Sequence, residues 1–385
     1  MFEPSEHRPT EAIVDLNAIQ HNVRVMLDEM DDDQKLYAVV KANGYGHGAT
    51  QVADAALAAG AKGLAVATVD EAIELRQHGH RFAPILVMGL TDPRGIAEII
   101  YYNLTVTVSG LDFFEKAYQQ LAETDHLTIL EDAKLRFHLK LDTGMGRIGL
   151  TSLEGVTAFA AAVSEIAWLD WEGVYTHFAT AGDKDEAYID FQWQEWLKLL
   201  AAVPETVKVR HYANSAMGLW YPREPKSDIV RYGIAMYGLD PKDQVPSETK
   251  VSLKPALSIV SEIVHVKQVP AGTHISYGAT YKADSEQWIA TVPIGYADGW
   301  LRRFKDIPVL VDGQKCPVVG IINMDQLMIQ LPKAYPVGTT VTLLGQDGAL
   351  ENHVSTLAEM TDTISYEILC GIGGRVPRIY LTDED

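Results

Sequence analysis

Lys41 closes the apolar run Leu36–Val40 and opens the segment Lys-Ala-Asn-Gly-Tyr-Gly-His-Gly, residues 41–48. A lysine at the end of a buried strand loses hydration, which lowers its pKa and frees the neutral amine for Schiff-base chemistry. The same segment also reads as a dinucleotide fingerprint, because Gly44, Gly46 and Ala49 fit G-x-G-x-x-A after a strand. That reading wants an acidic residue about 20 positions further on at a strand end, whereas Asp54, Asp70 and Glu71 are helical in pattern or wrongly spaced. It also gives Lys41 no task. A solvated surface lysine is the ordinary alternative, and residue type alone leaves these readings open.

The elements that would have to position Lys41 recur along the first part of the chain. Apolar, β-prone runs occur at Leu36–Val40, Leu64–Ala67, Pro84–Met88, Leu104–Val108, Leu135–Leu141, Gly173–Thr176, Val207–Tyr212 and Ile229–Tyr232. Helical patterns such as Glu71–His78 and Trp193–Ala202 separate them. Strands alternating with helices in this number predict an α/β fold, a (β/α)8 TIM-type barrel, with an open doubly wound sheet as the alternative. A barrel collects its active site at the C-terminal ends of its strands. Lys41, Lys140, His177, Ser215 and Arg231 all fall at such ends.

Beyond Gly238 the texture changes. Pro241–Lys254 is polar, and later β-type runs (Ile289–Pro293, Pro308–Val311, Pro317–Ile322, Leu327–Leu331, Thr339–Leu344) are punctuated by Gly and Pro. The expected division is a barrel domain over 1–240 and a mainly β C-terminal domain over 241–385. The first strand, near 12–16, is a candidate to pack with the C-terminal domain, and Asn17 is placed to cap the helix that follows.

Bulk properties exclude several classes. The 385 residues carry a formal charge of −20, which disfavours a basic groove for nucleic acid or an anionic membrane surface. Neither a secretory signal nor a membrane-spanning run is evident, so a cytoplasmic location is expected. Cys316 and Cys370 are the only cysteines; they supply neither a disulfide framework nor zinc-ligand spacing, and no metal is expected.

Lys41–Gly48 resembles the pyridoxal-phosphate lysine signature of the alanine racemase family. The resemblance continues, in the family's order, through Leu139–Gly149, Tyr175–Thr180, His211–Ala216, Val230–Ile234, Ser276–Tyr281, Pro293–Gly299, Met324–Gln326 and Arg375–Arg378. It implies a barrel with a C-terminal β domain, pyridoxal 5'-phosphate as cofactor, alanine as substrate and a homodimer. Lys41 would hold the cofactor. Tyr45, Ser215, the amides of Gly233 and Ile234, and Tyr366 would hold its phosphate, with Asn214 and His177 also at the cofactor. Arg147 would contact the cofactor's phenolic oxygen and the substrate carboxylate, steadied by Lys140, which is carbamylated in many relatives. Tyr277 would be the second base, reaching the site from the partner subunit together with Tyr296, Met324 and Asp325. Asn323 stands where relatives often have cysteine, and Gly374 where arginine is common.

The implied chemistry is coherent. Racemisation needs two acid/base groups on opposite faces of the α-carbon, here Lys41 and Tyr277. Arginine does not give up its proton in a protein, so Arg231 facing the pyridine nitrogen acts only as a donor. That weakens the electron sink and favours reprotonation at the α-carbon over transamination. D-Alanine for peptidoglycan precursors is the expected product. A racemase for serine or a basic amino acid, a pyridoxal-phosphate-binding protein without turnover, and a cofactor-free barrel enzyme are the alternatives.

Overall fold

The computed structural model describes residues 4–182, 186–242 and 251–382. Part of the expected polar linker, residues 243–250, therefore lies outside the described residues. The chain forms two compact units, one of Gln20–Gly44 and Val52–Met236, the other of Met1–Ile19, Tyr45–Gln51 and Tyr237–Asp385.

The first unit is the (β/α)8 barrel. After β1 (Glu11–Asp15), which belongs to the other unit, come β2 (Lys35–Val39), β3 (Gly63–Val66), β4 (Ile85–Leu90), β5 (Thr105–Val108), β6 (Leu135–Lys140), β7 (Leu169–Tyr175), β8 (Val209–His211) and β9 (Ile229–Tyr232). All pair in parallel in the order β8-β7-β6-β5-β4-β3-β2-β9. The ring closes where the Arg231 amide donates to the Ala213 carbonyl at 3.0 Å, just past β8. Strands β3, β5 and β9 are buried along their whole length. Burial on both faces is why barrel strands read as unbroken β-branched and apolar runs. Phe137 of β6 and Trp171 of β7 form an aromatic cluster with the helical Phe114 and Phe159, ring centroids 5.0–6.1 Å apart.

The second unit is mainly β. β1 lies between Leu257–Glu262, to which it is antiparallel, and Arg378–Leu381, to which it is parallel. That sheet continues through Thr340–Asp347, Val309–Val311 and Gln314–Cys316. A separate sheet joins His265–Val269, Gln287–Val292 and Leu327–Leu331. A short hairpin, His274–Ile275 with Tyr281–Lys282, carries Tyr277 in its crown.

Two expectations are corrected. Asn17 does not cap the first helix, Leu16–Asp28. Asp15 does, its carboxylate accepting from the amides of Asn17 (2.9 Å) and Ala18 (3.1 Å); the strand's last residue is already a good N-cap acceptor. Pro317–Ile322 is not a strand either. Gly320 takes φ +75°, which breaks the pleat, and pairing there is reduced to a bridge between Val318 and Ile329. Among the described residues no helix is long and apolar enough to cross a membrane.

Candidate active site

Lys41 stands directly beyond β2, half-buried, at the start of a turn of the opposite hand to an ordinary helix. Ala42, Asn43 and Gly44 have φ of 52–60° and ψ of 45–51°, and Tyr45 has φ 52°. The Gly44 amide still closes a helical hydrogen bond, to the Val40 carbonyl at 2.8 Å. A left-handed turn costs roughly 1–2 kcal/mol for each residue with a side chain, so its surroundings must hold it. Glu71 does so within the barrel. It lies in the first turn of the helix Val69–Gln77, inside a capping box with Thr68. One of its oxygens accepts from the Ala42 amide and the other from the Ala67 amide, each at 2.7 Å. The sequence presents Glu71 as an unsuitable ribose ligand and the start of a helical pattern; the capping-box spacing Thr68-x-x-Glu71 signals the helix start but not the bond to Ala42.

Lys140 ends β6 and is buried, its Nζ donating to the Leu141 carbonyl at 2.6 Å. Burial, followed by the charges of Arg231 and Arg147 and despite that of Asp142, pushes its pKa down to about 7. The glycine-rich loop that follows is gathered by Asp142. Its carboxylate accepts from the amides of Gly144 and Gly146 (3.0 Å each) and Arg147 (2.9 Å). Burial pushes the Asp142 carboxyl up, but those three amides and the charge of Lys140 outweigh it and hold it below its usual value. Gly149 closes the loop at φ +126°, where a Cβ would lie 2.6–2.8 Å from backbone atoms of Lys140, Leu141 and Asp142. Arg147 is thereby presented at the surface of the barrel's C-terminal end.

Arg231, in β9, is buried and donates to the carbonyls of Thr176 (2.8 Å) and Tyr212 (3.1 Å). Burial pushes its pKa down to about 10, which leaves it charged at neutral pH. Its Nη1 lies 2.7 Å from His211 Nδ1. From there a relay runs down the barrel: His211 Nε2 to His138 Nδ1 at 2.8 Å, and His138 Nε2 to Glu172 Oε2 at 3.0 Å. Because arginine only donates, Nδ1 of His211 must accept, which places the proton on its Nε2 and fixes the same tautomer on His138. Burial and the charge of Arg231 push His211 well below the usual imidazole range, in keeping with a neutral ring. Gly173 makes room for His138, since a Cβ there would lie 2.8 Å from the imidazole. The signal for this relay was polar residues sharing one face of β6, with Arg136, His138 and Lys140 two apart.

His177 follows β7, and burial together with the charges of Arg231, Lys140, Arg147 and Lys41 pushes it well below its usual pKa. The barrel end thus brings together Lys41, Arg147 and Arg231 with the partly charged Lys140, and Asp142 is already engaged by its loop. Such a set calls for an anion. Asn214, rather than Ser215, caps the helix Ser215–Trp220, its side chain accepting from the Met217 amide at 2.9 Å. Ser215 Oγ instead accepts from the Gly233 amide at 2.9 Å, which places a hydroxyl beside the turn that leads into Ile234.

In the other unit, Tyr45 and Tyr366 have ring centroids 5.9 Å apart, and burial pushes the Tyr45 phenol far above its usual value. Tyr277 is 73% exposed, Met324 53% and Tyr296 39%. Hydrogen bonds join the Tyr296 and Met324 segments: the Tyr296 amide donates to the Asn323 carbonyl (3.1 Å), and the Ala297 amide to the Met324 carbonyl (3.0 Å). Arg375 pairs with Asp325 at 2.9 Å and with the buried Asp298 at 3.1 Å, and Asp298 also binds Arg8.

Family models of the alanine racemase N-terminal domain and C-terminal domain match residues 14–241 and 256–380. The alanine racemase of Ligilactobacillus salivarius is 46% identical over 97% of this chain and 98% of its own length. The crystal structure of alanine racemase from Bacillus anthracis with bound L-Ala-P superposes with a TM-score of 0.91 at 41% identity, covering 98% of this chain and 96% of that one. Histidine racemase from Leuconostoc mesenteroides gives 0.90 at 34% identity, covering 99% and 100%. Fold, site and relatives together define an amino-acid racemase, an isomerase. The chain belongs to the alanine racemase family.

Proposed function

We propose that this chain interconverts L- and D-alanine by a two-base reaction dependent on pyridoxal 5'-phosphate, with Lys41 and Tyr277 on opposite faces of the α-carbon, and that it supplies D-alanine for peptidoglycan synthesis in the cytoplasm. The observation that carries the reading is the placement of basic groups at the C-terminal end of the barrel: Lys41 just past β2, Lys140 Nζ and Arg231 Cζ 5.4 and 5.1 Å from the Tyr175 ring, and Arg147 held by the Asp142 loop, with the four charges depressing the pKa of His177. Lys41, Arg147 and Arg231, beside a partly charged Lys140 and one internally engaged carboxylate, fit a cofactor that brings a phosphate and a phenolic oxygen, and a substrate that brings a carboxylate. When bound, the cofactor supplies the electron sink that acidifies the α-C–H bond.

Each residue then has a separate task. Lys41 anchors the cofactor and moves a proton at one face of the α-carbon. Arg231 offers only donors, steadied by His211. Ser215 with the Gly233 and Ile234 amides, Asn214, His177, Tyr45 and Tyr366 are proposed around the cofactor. Arg147, steadied by Lys140, orients the substrate carboxylate. A lysine held near pKa 7 is half unprotonated at neutral pH, the form that condenses with carbon dioxide to a carbamate and releases a proton. Tyr277, Tyr296, Met324 and Asp325 are proposed to complete the pocket of a second copy, and the exposure of the first three in one chain supports that.

Borohydride reduction of the cofactor-loaded enzyme followed by peptide mapping should leave a pyridoxyl group on Lys41; a label elsewhere, or none, sinks the reading. The histidine racemase relative favours one second reading, a different amino-acid preference. Side-by-side turnover of L-alanine, L-serine, L-lysine and L-histidine decides it, and alanine as the poorest substrate would overturn the assignment.

A further inference from the structure

Ser276, the residue before Tyr277, has φ 70° and ψ 176°, a backbone region essentially reserved to glycine. A residue with a side chain persists there only where its surroundings over-determine it. Within the β unit they do. Ser276 Oγ donates to the Ile321 carbonyl at 2.9 Å, and the Ile321 amide donates back to the same oxygen at 3.1 Å. The hydroxyl thus fills the place a peptide group takes in a β-ladder. Asn323 Oδ1, 3.4 Å away, is a second acceptor for it. Gly320 lies against the serine, and a Cβ there would come within 2.4 Å of Ser276 Cβ. One residue earlier, Ile275 packs with Val269, Ala283, Ile289 and Val319. That cluster anchors the base of the hairpin, and the Ser276 hydroxyl holds the start of its crown.

We propose that Ser276 is a positioning residue for Tyr277. Its hydroxyl, clasped by both backbone groups of Ile321, fixes the turn that aims the phenol and so governs proton transfer at that face without touching substrate. The inference rests on Tyr277 being the second base.

The test uses cofactor-loaded Ser276→Ala, which keeps the Cβ, and Ser276→Gly, which relieves the backbone, beside Tyr277→Phe. Amide hydrogen exchange should show the Ile321 peptide losing protection in both serine variants. Inversion should fall on the order of 100-fold through kcat with little change in KM, the scale of an ångström-sized misplacement. Enantiomers have equal free energies, so kcat/KM must fall alike in both directions. The discriminating readout is exchange of the α-hydrogen in deuterium oxide. The enantiomer whose α-hydrogen faces Lys41 should exchange faster than it inverts, whereas the other should lose exchange and inversion together. Wild-type inversion in both serine variants overturns the inference, as does an equal loss of exchange and inversion for both enantiomers. Should Tyr277→Phe itself invert normally, the second-base reading fails; a crippled Tyr277→Phe beside normal serine variants removes only the role of Ser276.

Discussion

Two neutral imidazoles, His211 and His138, link the charge of Arg231 to the carboxylate of Glu172. Burial pushes the Glu172 carboxyl up, but the hydrogen bond from His138, the charge of Arg136 and the hydrogen bond from Thr105 bring it below its usual value. Cutting the relay in the middle with His138→Leu leaves the Nε2–H of His211 without its acceptor, and should cost about 1–3 kcal/mol in urea unfolding. Lys140 gives a pH-dependent counterpart. Its folded pKa of about 7 lies below the roughly 10.4 of an unfolded lysine, so between those values the unfolded chain binds more protons and stability rises with pH. Unfolding measured across that window should show the slope, and Lys140→Met should flatten it; a slope that survives belongs to another group. Enzyme equilibrated with 13C-bicarbonate should also give a carbamate carbon resonance that Lys140→Met removes.

At the scale of elements, the eight barrel strands were legible because burial on both faces writes itself as unbroken apolar runs, and Ile229–Tyr232 was read at its observed limits. The strand ends followed from the strands, and with them Lys41, Lys140, Ser215 and Arg231. The hand of the turn at Ala42–Tyr45 was not legible, since alanine, asparagine and tyrosine carry no preference for positive φ strong enough to announce it. Nor were the anchoring roles of Glu71 and Asp142, which depend on backbone amides that the fold brings to them. Contacts of that kind make two elements vulnerable to small changes. Gly149→Ala should destabilise the barrel by about 1–3 kcal/mol, because the new Cβ meets three backbone atoms at a positive φ. Its effect should also reach Arg147 as a raised KM for alanine, and a Gly149→Ala enzyme with native melting and KM would show the loop to be compliant.

For the whole molecule, the exposure of Tyr277 has a consequence that mixing can check. If each pocket takes Lys41 from one copy and Tyr277 from the other, Lys41→Ala and Tyr277→Phe subunits are separately inactive but complementary. Refolded together at equal amounts, half of the dimers are mixed and one pocket in each is intact, so activity should return to about a quarter of wild type. No recovery would place both bases in one chain. The turn beside Lys41 carries a different consequence. Its dihedral angles are those that a right-handed helix shows in a mirror, the conformation in which residues of D configuration rest without strain. A semisynthetic enzyme with D-alanine ligated at the exposed position 42 should therefore melt higher than the natural chain, because beside its lysine this protein of L residues already follows mirror-image geometry.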